Sequence, residues 1–104
     1  VLSFVETRLF TRLIQEYLSD LEYARLQAAL IANPEAGDVI PGSGGVRKLR
    51  WRSESGGKRG GYRAIYFVKR SPGAFWMLTI YPKNVRDTIP AHTLRQIRKE
   101  LESE

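Results

Sequence analysis

The 104-residue chain contains no cysteine and one histidine, His92. The first absence excludes disulfides, thiolate zinc sites and cysteine nucleophiles, and it suits a reducing compartment such as the cytoplasm. The second leaves no histidine pair for a metal and, in practice, no Ser-His-Asp triad. At the start of the last helix, His92 is expected on the surface. Long apolar runs are also missing. Stretches such as Ala28 to Ala32 fall far short of the ~20 residues that span a bilayer, so no membrane segment is expected. No charged segment followed by an apolar one marks the beginning, so no signal peptide is expected. The chain opens on Val1 rather than methionine, so residues can precede it.

What is present fits one domain over residues 1–104. A chain of this size buries roughly two-thirds of its unfolded surface and can hold a core without staples. The net charge of +6 is unevenly spread: residues 1–45 carry −3, residues 46–70 carry +8 and residues 71–104 carry +1. A concentrated basic patch attracts polyanions, of which nucleic acid is the usual one. No close carboxylate pair lies within it, which argues against two-metal phosphodiester chemistry.

VLSFV (1–5) reads as a short strand. TRLFTRLIQEY (7–17) places Leu9, Leu13, Ile14 and Tyr17 on one helical face. Ser19 followed by Glu22 is a capping box that opens a second helix. It carries Tyr23, Leu26, Ala29 and Leu30 at helical spacing and stops at Asn33-Pro34. The Gly/Pro-rich residues 33–45 read as a loop. Three strands follow in VRKLRWR (46–52), YRAIYFVK (62–69) and FWMLTIY (75–81), joined by hairpin-like links. The third is almost continuously apolar, as a doubly covered strand requires. Pro90 begins a last helix, residues 90–102, with Leu94, Ile97 and Leu101 on one face. The pattern predicts an α+β fold of order β-α-α-β-β-β-α. A helical hairpin covers one face of a small, largely antiparallel sheet, and the other face is open to solvent or ligand.

Strand alternation in VRKLRWR puts Arg47, Leu49 and Trp51 on one face and Lys48, Arg50 and Arg52 on the other. A row of like charges is unhelpful to folding unless an anion lies across it. A solvated strand face guarded against aggregation would look the same. GGKRGGYRA (56–64) adds Lys58 and Arg59 on a glycine-rich link, with Arg63 entering the next strand on the side of Ile65 and Phe67. It lacks Walker A spacing, and a plain hairpin link is the alternative. YPKN (81–84) brings Tyr81, Lys83 and Asn84 to the end of the apolar strand, where a simple turn is the alternative. Trp51 and Trp76 are expected in the core.

GGVRKLRW, GKRGGYRAIYF and LTIYPKN, after EYLSDLEYARLQAALIANPEAGDVIPGSGG, resemble a RelE/HigB-type toxin of a bacterial toxin–antitoxin module, nearest the HigB branch. The resemblance covers nearly the whole chain and implies the same helical hairpin on a small sheet. It implies ribosome-dependent cleavage of mRNA, by attack of the ribose 2′-oxygen on the adjacent phosphate, without metal or cofactor. Its site would lie on the basic sheet face. Lys48, Arg50, Arg63 and Lys83 match the catalytic cations, and Arg47, Arg52, Lys58, Arg59, Tyr81 and Asn84 would bind RNA. Family members of the RelE type carry an arginine where Asn84 stands and a tyrosine where Pro90 falls. The general acid and base are thus unassigned by the resemblance. Implied partners are the bacterial ribosome with its mRNA, and a helix-turn-helix HigA-type antitoxin through which alone operator DNA is met.

The residues make this chemistry intelligible. Preplaced cations stabilise the charge that builds on a phosphate under attack, and arginine can hold two of its oxygens. Crowding by like charges disfavours a protonated amine, which makes Lys48 a candidate general base. Three other readings stand beside this one. They are a ParE-like gyrase poison of the same fold, a non-catalytic RNA-binding module, and a degenerate toxin that only holds its antitoxin.

Overall fold

A computed structural model describes residues 3–53, 61–70, 73–85 and 89–102. The elements are β1 (Ser3–Glu6), α1 (Arg8–Tyr17), α2 (Asp20–Ala32), β2 (Asp38–Val39), β3 (Arg47–Trp51), β4 (Tyr62–Arg70), β5 (Gly73–Pro82) and α3 (Ala91–Glu102). The sheet runs β1-β5-β4-β3-β2, antiparallel throughout except where β1 pairs parallel with β5. The fold is α+β, in the expected order with β2 added.

Short polar residues set the boundaries. Thr7 ends β1 by donating its N–H to the Met77 carbonyl, and its Oγ1 caps α1 by accepting the Phe10 N–H at 3.0 Å. The same hydroxyl donates to the Leu78 carbonyl at 2.7 Å. That carbonyl sits at a bulge, because Ile65 pairs with Thr79 while Tyr66 pairs with Met77. Ser19 caps α2 through the Glu22 N–H at 3.1 Å. The Glu22 carboxylate is buried and accepts the Ser53 hydroxyl, tying α2 to the end of β3. Acidic Asp20 and Glu22 also suit the positive end of the helix dipole.

One core lies between the helical hairpin and the sheet. Phe10, Ile14, Leu26 and Leu30 pack there on Tyr62, Ala64, Tyr66, Phe75, Met77 and Ile80. The α1 stripe is rotated from the expected one: Phe10 is fully buried and Leu9 is exposed.

The opposite face is not open along its length, which corrects the sequence expectation. Leu94 of α3, flanked by Ile97 and Leu101, packs on Val46, Ile65, Phe67 and Leu78 in a second core. The strands alternate, so apolar β4 and β5 present aromatic and branched residues to both sides, and the apolar stripe of α3 covers the second set. Lys69 donates to the Leu101 carbonyl at 3.3 Å, placing a cation at the negative end of α3. Trp51 and Trp76, expected in the core, are half-buried at its margins, against the first and second core respectively.

Candidate nucleic-acid interface

Register assigns the cations to faces. Arg47, Leu49 and Trp51 pair with Tyr66, Ala64 and Tyr62, all on the helical-hairpin side. Lys48 pairs with Ile65 and Arg50 with Arg63, so these side chains belong to the α3 side. Arg63 in turn pairs with Tyr81 across β4 and β5. Arg50, Arg63 and Tyr81 therefore form one row across three strands, with Lys48 two residues along β3 on the same face.

Lys48 and Arg50 are exposed, and Arg63 and Tyr81 are half-buried. Arg63 donates to its neighbour's carbonyl, that of Tyr62, at 3.2 Å. Lys83 and Asn84 are exposed in the turn after β5. The Lys83 N–H donates to the Gly61 carbonyl at 3.0 Å, which anchors this turn two residues ahead of Arg63. Gly61 has φ +74, and a Cβ there would collide with the Trp51 carbonyl, so the entry to β4 demands glycine. Arg52 is exposed just beyond β3. Lys58 and Arg59 lie outside the described residues. His92 is exposed on α3.

Arg47 does not join this surface. Its guanidinium donates to the carbonyl of Gly37 at 2.8 Å and of Glu35 at 3.4 Å, and it pairs with the Glu35 carboxylate at 3.8 Å. On the hairpin side of the sheet it holds the loop before β2, so its place among RNA-binding residues is corrected to a structural one.

The sequence also missed Asp38. β2 pairs Asp38 with Lys48 and Val39 with Arg47, so an exposed carboxylate stands beside Lys48 on the basic face. The expectation that Lys48 is surrounded by cations alone loses its premise. Nothing local marks β2 as a strand. Its position is set by Tyr66, whose hydroxyl donates to the Pro34 carbonyl at 2.9 Å and accepts the Gly37 N–H at 3.0 Å. Burial pushes that hydroxyl above the usual tyrosine range, while the Gly37 N–H and Arg47 draw it back.

The arrangement is a cationic strand surface beside α3, with Arg50 and Arg63 opposite each other. Cross-strand side chains of this kind start roughly 4.5–5.5 Å apart at Cβ, and like charges so placed are destabilising. A phosphate seated between them would accept from both guanidinium forks.

No family model matches the chain. Its fold is similar to that of a chain in the crystal structure of the intact E. coli RelBE toxin–antitoxin complex. The TM-score is 0.56 and the identity 19%, over 82% of this chain and 96% of that one. At this identity the likeness establishes a shared RelE-like α+β fold.

Proposed function

We propose that this chain is the toxin of a type II toxin–antitoxin pair, a ribosome-dependent endoribonuclease that cuts mRNA and halts translation. The observation that carries the proposal is the cross-strand pair Arg50 and Arg63, flanked by Lys48 on the face that α3 leaves exposed. The RelE-like fold supports it.

The chemistry follows from charge. The 2′-oxygen attacks the neighbouring phosphorus, the 5′-oxygen leaves, and a cyclic phosphate remains on the upstream fragment. Negative charge grows on the phosphoryl oxygens during attack. Arg63 and Arg50 stabilise it, and Lys48 and Lys83 add cationic donors at the edges. Interactions that strengthen only as charge develops raise the rate rather than the affinity. Tyr81 and Asn84, with Arg52, extend the surface along the RNA. The ribosome holds the message in an attack-ready geometry, which replaces part of the work of a full acid–base set. A HigA-type antitoxin neutralises the toxin in the cytoplasm and carries the pair to operator DNA.

The test is induction in a bacterial host of wild type and Arg63→Ala, with mRNA 5′ ends mapped afterwards. Growth arrest with new cuts in translated messages, lost in the variant, is expected. Growth arrest with intact mRNA would instead place the chain with gyrase poisons. Absence of arrest would reduce it to a binding module or degenerate toxin.

A further inference from the structure

The loop before β2 is held by four hydrogen bonds with Tyr66 and Arg47 of the sheet. Tyr66 reaches from the centre of the sheet to bond both Pro34 and Gly37. Arg47 bonds the carbonyls of Glu35 and Gly37 from the same side. Gly37 is buried so closely that a Cβ on it would lie 3.0 Å from the Lys48 carbonyl carbon and 3.0 Å from Tyr66 Cε1. The outcome of these contacts is one placement: Asp38 opposite Lys48, on the face that carries Arg50 and Arg63.

A carboxylate there repels RNA, so on a purely attractive surface it is a liability. Its effect on lysine is different. Lysine is a point charge on a flexible four-carbon stem, and an exposed one spreads over many rotamers. An opposite charge at the cross-strand position draws the ammonium to one side. We propose that Asp38 is a positioning residue that holds Lys48 toward β2, at the outer flank of the Arg50 and Arg63 row, and that Tyr66 and Arg47 are the clamp that fixes Asp38. The functional consequence rests on the ribonuclease reading, but the pairing itself does not.

Two readouts separate these. In protein with 13C-labelled lysine, the two Hε protons of Lys48 should be inequivalent in the wild type and merge in Asp38→Asn and in Tyr66→Phe. In the mRNA cutting assay, Asp38→Asn should slow cutting by about fivefold, the upper end for one cross-strand ion pair. Asp38→Glu should restore part of it, and Asp38→Asn should have no further effect in a Lys48→Ala background. Asp38 is exposed, so its variants test the idea even if Tyr66→Phe fails to fold. Merged Hε signals in the wild type would overturn the proposal. So would faster cutting by Asp38→Asn, the result of bare repulsion, or effects that multiply in the Lys48→Ala background. Split signals in a wild type that makes no cuts would sink the ribonuclease reading and leave the pairing standing.

Discussion

Arg47 and Arg50 lie three residues apart on the same strand and meet opposite surroundings. On the helical-hairpin side, Arg47 finds two carbonyls and a carboxylate. On the α3 side, Arg50 is exposed and faces Arg63 across the ladder. The first is a cation that the fold uses. The second faces like charge across the ladder, a repulsion that a bound polyanion would offset under the proposed function. Charge density along the sequence does not separate the two; the acceptors around each guanidinium do.

The comparison predicts effects of different kind on the two sides. The largest is in the hairpin core: Phe10→Ala should lower stability by about 3–5 kcal/mol, read from urea unfolding, because a fully buried ring leaves a cavity. Next, Arg63→Ala should reduce single-turnover cutting by about 100-fold or more, the scale of one lost charge-stabilising donor, with a much smaller change in the unfolding midpoint. Equal losses of activity and stability would erase the distinction between the faces. Tyr66→Phe should cost about 1–3 kcal/mol, since it strips partners from Gly37 and Pro34 beneath the loop. Its pH dependence carries a sign. The folded state holds the Tyr66 proton more tightly than the unfolded chain, so its contribution is complete below about pH 10 and declines as pH rises through the folded value. The alkaline loss of stability should therefore be shallower in Tyr66→Phe. The smallest effect is also the most telling in direction. Arg50→Gln should raise stability by about 0.2–1 kcal/mol by relieving the cross-strand repulsion, while weakening RNA binding and reducing its salt slope by about one. A loss of stability in Arg50→Gln would mean that Arg50 serves the fold as Arg47 does.

Much of the fold was legible because its signals are local. Ser19, Asn33-Pro34 and Pro90 mark helix ends, and the alternation in RKLRW assigns its faces correctly. The rest depends on partners distant in the chain. β2 exists because Tyr66 and Arg47 bind the loop before it, at separations of about thirty and ten residues. The cover over the second sheet face follows from the landing place of α3, which its own apolar stripe does not specify. For the candidate site, alternation put Lys48 and Arg50 on one face, while Arg63 and Tyr81 join them only through the register of β3, β4 and β5. Arg47 was misassigned because charge alone outweighed its face. Asp38 was missed because two residues give no periodicity to read.

The proposed action of the Arg50 and Arg63 row is on RNA held by the ribosome. It is tested most directly with purified ribosomes translating one defined message, by mapping 5′ ends after adding wild type or Arg63→Ala. Cuts within translated codons, absent without ribosomes and lost in Arg63→Ala, are the predicted result. An intact message with wild type, or the same cuts with Arg63→Ala, would contradict it.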